Sequence, residues 1–241
     1  MAFGVAYFAA IYVAAGLLGH GITRALAARG IGRVLDPRAL PRDQVRRERL
    51  QSVASILIFG LGLVVPWWML EQGWASVDMT ASVPRVMAEL LVLLVWNDIH
   101  FYAIHRTLHH PLLLRWVHAA HHRSIVTTPW STYAFHPVEA LLLGSVLLPP
   151  MLVWTFALPS LVLLPVLSLT YNTIGHCNYR ALPRRWQWLS NAQDHHLHHA
   201  CHRGNYGFLF TFMDRLMGTK LEANAADAVI AAGLAREGRN R

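Results

Sequence analysis

Charge is scarce in this 241-residue chain, at 14% Asp, Glu, Lys and Arg, and lysine is nearly missing, with Lys220 alone beside twenty arginines. Set against 54% hydrophobic residues, that scarcity excludes an ordinary soluble domain, whose core could not hide so much apolar surface. Cysteine is almost as rare: Cys177 and Cys201 form no C-x-x-C pair, which excludes a disulfide framework and a zinc ribbon. The chain also lacks a nucleotide-binding fingerprint, a Cys-rich iron–sulfur run and an H-E-x-x-H pairing of zinc ligands with a base. The net charge of +8 does not argue for nucleic acid, because the basic residues neither interleave with aromatics nor form a base-reading motif. No internal repeat of useful length is present.

What is abundant is apolar sequence in runs of membrane length. A bilayer core takes about 20 apolar residues per helix, and five stretches qualify: 3–22, 53–72, 86–104, 138–157 and 160–176. The first has no basic residue ahead of it and no small-residue cleavage site, so it is expected to remain as a membrane helix rather than to be removed as a signal. The last two are separated only by Leu158 and Pro159 and are expected to form a hairpin, its first arm kinked or broken at Pro149-Pro150. Eight arginines (Arg24, Arg29, Arg33, Arg38, Arg42, Arg46, Arg47 and Arg49) lie between the first two stretches and place that loop in the cytoplasm. Threading onward puts 105–137 and everything from 177 on the same side, leaving Arg85 as the one basic residue outside. Trp67, Trp68 and Trp74 flank the short external turn as an interfacial belt, and 183–188 is expected to lie along the cytoplasmic membrane surface. The fold class is therefore all-α: four to five transmembrane helices with a cytoplasmic, helical, histidine-rich region. It divides into membrane helices with the Arg-rich loop over 1–104, the histidine-rich region over 105–220 that includes the hairpin at 138–176, and a tail over 221–241.

Histidine is the second abundance, with fourteen of fifteen between His100 and His202. His105 and His109 are four apart, while His118, His121 and His122, and again His195, His198 and His199, have offsets of three and four that put each group on one helical face. One such pair is ordinary surface or packing. Three groups at one membrane surface would repel one another if protonated, whereas a bound cation favours the neutral, ligating ring. Eight or nine imidazoles exceed the need of one ion and suit two; ligand type alone leaves zinc, copper, iron and nickel open.

Read in order, NDIHFYAIHRTLHH, WVHAAHHRS, FHPVE, NTIGHCNYR, DHHLHHACHRGNYG and FMDRLMGT make the stretch from about Asp98 to Thr219 resemble the fatty acid hydroxylase and sterol desaturase family of membrane di-iron enzymes. The resemblance implies metal ligands at His105, His109, His118, His121, His122, His195, His198 and His199, with His176 at a further ligand position. It implies two iron ions with O2 as co-substrate, and hydroxylation or desaturation of a C–H bond in a lipid such as a sterol, fatty acyl chain or related isoprenoid. Electrons must come from an external donor, a ferredoxin, cytochrome or reductase, with Arg180, Arg184, Arg185 and Arg203 as a rim that would steer it or simply anchor the membrane surface. The arginine-rich composition suggests a bacterial inner membrane, with the endoplasmic reticulum as the location in a eukaryote.

Around the ligands, Asp98, Asn172 and Asp194 are expected to accept imidazole N–H groups, with helix capping an alternative for Asp194. His136, before Pro137, is expected to support a ligand rather than be one, Glu139 close to it is a further possible support, and His202 is a possible support and the first substitute should a named ligand fail. Asp214 is expected to cap or to pair with an arginine, and 205–207 to form a turn that holds the last histidine helix. Two other classes remain: a membrane zinc hydrolase with Glu139 as its base, and a non-catalytic metal-binding or transport protein.

Overall fold

The computed structural model describes residues 2–181, 188–221, 228 and 231. Among these, four helices are long and apolar enough to cross a membrane: α1 (Ala2–Ala28), α2 (Gln44–Glu71, with a break in winding at Leu63), α3 (Val83–Leu108) and α6 (Leu158–His176). The helical segments 111–122 (α4) and Pro137–Val153 (α5) are shorter, as are α7 (Ala192–Cys201) and α8 (Phe212–Leu216). A 3-10 helix at Pro129–Tyr133 and four two-residue strands complete the described elements: β1 (Arg33–Val34) pairs antiparallel with β4 (Tyr179–Arg180), and β2 (Val77–Asp78) pairs parallel with β3 (Phe156–Ala157).

The expected first arm of the hairpin is where sequence and structure part. α5 ends at Val153 and its winding tightens to a 3-10 turn at Ser145–Leu147, after which Pro149 and Pro150 occupy the first turn of a new helical piece, where their missing amide hydrogens cost nothing. Pro159 likewise sits in the first turn of α6 instead of in a loop. α2 begins at Gln44, well before the apolar run at 53, because its polar first half buries Gln44, Glu48 and Ser52. Glu48 accepts hydrogen bonds from Gln44 Nε2 (2.8 Å), Ser124 Oγ (2.7 Å) and Thr128 Oγ1 (2.6 Å), which fastens the stretch after α4 to α2. α3 runs unbroken across 104–105, so one rigid helix carries a membrane span and the first histidine pair.

α1 and α2 cross in close contact, since a Cβ at Gly60 would lie 2.5 Å from the Val5 amide nitrogen, and small residues are what permit such an approach. Below that crossing, Phe8, Tyr12, Ile56, Tyr133, Phe135 and Leu169 form one apolar core; Met69, Leu93, Met151, Phe156, Leu161 and Leu164 form another. The second core ends in a buried polar clasp. Glu89 accepts from Ala157 N (2.8 Å), Ser160 Oγ (2.7 Å) and Arg85 Nε (2.9 Å), and Arg85 also holds Asp78 (2.6 Å). Arg85 is thus neutralised at the end of α3 remote from the histidines, where Trp67, Trp68 and Trp74 are exposed as a belt requires.

Candidate metal centre

Each histidine group is delivered by a helix end. His105 lies in the last turn of α3 and His109 caps it, and Pro111 then starts α4 in a new direction. α4 is π-wound over Leu114–His118 and returns to α-winding at Ala119–His122, a local irregularity of the kind that recurs at functional sites. His176 is the last residue of α6. α7 is capped by Asn191, whose side chain accepts from the Gln193 and Asp194 amides, and its three ligand candidates His195, His198 and His199 are all buried.

The structure brings all nine expected ligands together, in two sets. His105, His109, His118, His122 and His198 offer ring nitrogens within 4.8 Å of one another, and so do His121, His176, His195 and His199. The expectation that each H-x-x-H-H box presents its three rings on one helical face is therefore corrected. Consecutive helical residues point roughly 100° apart, so His121 and His122 diverge, as do His198 and His199. Each set receives an i,i+4 pair from one box, His118 with His122 or His195 with His199, and the middle histidine of the other. The sets are adjacent, the rings of His122 and His199 lying 4.6 Å apart.

Hydrogen bonding fixes which nitrogen of many rings is free. His105 Nδ1 donates to the Tyr206 carbonyl (2.9 Å), His109 Nδ1 to the His202 carbonyl (3.0 Å) and His198 Nδ1 to the Gly204 carbonyl (2.7 Å). His118 Nδ1 faces Glu139 Oε1 at 2.9 Å, with both side chains buried. A carbonyl can only accept, so the protons of His105, His109 and His198 sit on Nδ1 and their Nε2 atoms carry lone pairs. His122 Nε2 meets one of these, His109 Nε2, at 3.2 Å and the His118 Nε2 at 3.1 Å. In the second set His176 Nδ1 donates to the Asn172 carbonyl (2.8 Å), and the Nε2 atoms of His176, His195 and His199 follow one another at 3.0 Å. One proton cannot satisfy three converging lone pairs. A cation can, and the donor set, nitrogen throughout with neutral rings oriented from behind, fits a transition metal in each place. Burial, and next the neighbouring imidazoles, hold His118, His122, His195, His198 and His199 well below the ordinary histidine value, and push His109 down to about 3. The rings are thus in the form that ligates.

The supporting residues differ from expectation in instructive ways. Glu139 backs His118 as a partner should. Asn172 does orient His176, but through its main-chain carbonyl; its side-chain amide reaches Thr132 O at 3.4 Å. Asp98 does not turn to an imidazole: its Oδ1 accepts from the Leu209 (2.6 Å) and Phe210 (2.9 Å) amides and pins that loop to α3. Asp194 pairs with Lys220 Nζ (2.6 Å) and with Asn191. His136 uses Nδ1 to cap α5 at Val138 N (3.2 Å), so it supports no ligand ring. His202 lies outside both sets and contributes its carbonyl. Of the other histidines, His100 meets Ser145 Oγ (3.3 Å), and His196 Nε2 is 3.3 Å from Asp36.

What sequence reasoning missed is the main-chain role of His202, Gly204 and Tyr206, whose carbonyls accept from three ligand rings. Their turn has positive φ at His202 (55°), Gly204 (62°) and Asn205 (49°), which swings alternate carbonyls toward three ligand rings. The Gly-Asn-Tyr-Gly run signals such a turn; which way its carbonyls face is not written in side chains. Asp214 holds the turn as a cap, by accepting from the Tyr206 (2.8 Å) and Gly207 (2.7 Å) amides. Of the stretch 183–188, only exposed Trp188 falls among the described residues, as do Arg180 and Arg203 of the rim but not Arg184 or Arg185.

Comparison with known proteins agrees with this geometry. A fatty acid hydroxylase family model matches residues 90–219. The chain is 30% identical to the Delta(7)-sterol 5(6)-desaturase erg3C of Aspergillus fumigatus over 76% of this chain and 64% of that one. It is 30% identical to the Delta(7)-sterol 5(6)-desaturase of Eremothecium gossypii, covering 77% and 54%, and 30% identical to human lathosterol oxidase, covering 74% and 62%. These matches span less than two thirds of each relative's length. No solved structure matches. With its family model covering more than half the chain and its four apolar helices, this integral membrane protein belongs to the fatty acid hydroxylase family.

Proposed function

We propose that the chain is a membrane-bound, non-haem di-iron oxygenase that hydroxylates or desaturates a C–H bond of a lipid such as a sterol, a fatty acyl chain or an isoprenoid. The observation that carries this reading is the sorting of nine histidines into a set of five and a set of four whose free Nε2 lone pairs converge. With iron bound in both sets, the centre would supply the O2-derived oxidising power that an unactivated C–H bond demands. The chain's own residues then orient and exclude. The 202–206 carbonyls and Glu139 hold the first set from behind, the Asn172 carbonyl holds His176, and Phe135 packs on His121 with ring centroids 5.1 Å apart, keeping water from the second set.

The sterol desaturase and lathosterol oxidase relatives support a lipid substrate, and the absence of any redox cofactor motif in the sequence calls for an external electron donor, docking on the face that carries Arg180 and Arg203. The arginine distribution supports a cytoplasmic histidine region, at a bacterial inner membrane or, in a eukaryote, the endoplasmic reticulum. The hydrolase alternative is not favoured, because Glu139, its one candidate base, is occupied by His118. The test is turnover of a lipid panel in nanodiscs with a ferredoxin–reductase pair. Products heavier by one oxygen or lighter by two hydrogens, dependent on O2 and reductant, support the proposal; ester cleavage without reductant overturns it.

A further inference from the structure

Two small voids lie end to end between α3 and α6. The inner one, of about 10 Å³, is lined by imidazoles of both sets, by Glu139 and by Leu108, Phe135 and Leu143. The outer one, of about 20 Å³, is bounded by Tyr171, Ile174 and Gly175 of α6 and by Phe208. Phe101, Asn172 and His195 line both, so they form the wall between them. His195 is a buried ligand candidate, whereas Phe101 and Asn172 are half-buried, reaching from the inner void to the protein surface, and Ile174 at the outer end is 50% exposed. Phe101 and Asn172 stand in the last two turns of α3 and α6, the level at which membrane-spanning helices hand over to the histidine region.

We propose that the lipid reaches the histidine centre sideways from the membrane, between α3 and α6, through a gate made of Phe101 and Asn172. This rests on the lipid-oxygenase reading for the nature of the cargo. The chemistry of the path follows from its walls. Among the described residues that line the two voids the one acid is Glu139, which faces His118, and there is no lysine or arginine to pair with an anionic headgroup, so the path takes a neutral lipid with a long apolar chain and a small polar end, which the Ser190 hydroxyl at the outer void can meet with a hydrogen bond. Neither void is wide enough for a hydrocarbon chain, so entry requires a side chain to swing. Phe101 is placed to do so: its ring packs between His105 and Phe208, with centroids 5.0 Å from each, and is held by no hydrogen bond of its own. Moving it joins the two voids without moving a metal ligand. Asn172 is the fixed half of the gate, its main-chain carbonyl engaged with His176.

Gly175 gives the means of closing the path. A Cβ there would lie 3.9 Å from His195 Cβ, an ordinary contact, so alanine fits while a large ring would fill the outer void. The experiment is photolabelling in phosphatidylcholine nanodiscs with a long-chain alcohol carrying a mid-chain diazirine, with adducts mapped by mass spectrometry and metal content measured on the same samples. Adducts should fall on Phe101, Ile174 and Phe208. Gly175→Phe should reduce them roughly tenfold or more while Gly175→Ala does not. Ile174→Trp, at an exposed position that fold packing does not constrain, should also reduce them and serves if Gly175→Phe fails to fold. Adducts concentrated on α1 or α2, or labelling at the gate unchanged by Ile174→Trp with metal retained, would overturn the path. Gate labelling as expected in a metal-loaded protein that oxidises no lipid would leave the path standing and overturn the oxygenase reading instead.

Discussion

Removing the Glu139 carboxylate should loosen the metal in the five-histidine set without unfolding the protein. Glu139 Oε1 lies 2.9 Å from His118 Nδ1, with both side chains almost fully buried, so water cannot replace the carboxylate as acceptor. Without it, His118 is free to carry its proton on either nitrogen and to turn its ring. One of five ligands then loses its preset orientation, while His105, His109 and His198 keep their carbonyl contacts and His122 keeps its contact with His109. Partners of this kind cost about 10- to 100-fold in metal affinity when removed, or about 1.4–2.8 kcal/mol. Glu139→Ala should fall in that range. Glu139→Gln, whose amide oxygen can still accept from Nδ1, should fall at its lower end. The assay is competition against a calibrated chelator in detergent. Glu89→Gln is the control, since Glu89 is also buried but holds Ala157, Ser160 and Arg85 at the remote end of α3. It should lower thermal stability and leave metal affinity alone. Metal affinity unchanged in Glu139→Ala, or reduced equally in Glu89→Gln, would refute the reasoning.

Other consequences follow from the same geometry. Because the two H-x-x-H-H boxes exchange their middle histidines, His121→Ala should deplete the same metal as His195→Ala and His199→Ala, and His198→Ala the same one as His118→Ala; site-resolved spectra grouping the variants by box instead would contradict this. The metal-free protein should lose stability as pH falls. Its histidines are held below the unfolded value near 6.5, chiefly by burial, so their contribution is full above that value and disappears below it as the unfolded chain takes up more protons. Melting temperatures at pH 5.0 and 7.5 test the sign, and a higher value at pH 5.0 would be inconsistent with it. Gly204→Ala should weaken the His198 contact, because Gly204 has φ of 62° and a Cβ there would meet Leu221 Cγ at 2.6 Å and Thr219 O at 2.8 Å. Reduced metal in the first set, with the second retained, is the expected result in elemental analysis.

Much of this site could be read from the chain because it depends on side-chain identity at helical spacing. His105 with His109, and His195 with His199, fall in one set for the same reason that i and i+4 residues always share a helix face. What could not be read depends on the main chain or on tertiary direction. The division of His121 from His122 needs two sets of partners on either side of α4, and nothing at either position announces which set it joins. Carbonyls of His202, Gly204 and Tyr206 orient three rings, a task any residue type could perform. Asp98 was misread because a carboxylate one helical face from a histidine looks like its partner, whereas two loop amides without other acceptors claim it. Hydropathy found α1, α3 and α6 but overestimated the 138–157 arm, since apolar composition counts the same in a helix that crosses a membrane and in one that ends at Val153.

The central claim is tested most directly by elemental mass spectrometry of the detergent-purified protein beside a variant with His118, His121 and His122 changed to alanine. The account predicts about two irons per chain, lost in the variant because it removes ligands from both sets. Stoichiometric zinc from iron-replete cells, or iron retained by the variant, would contradict it.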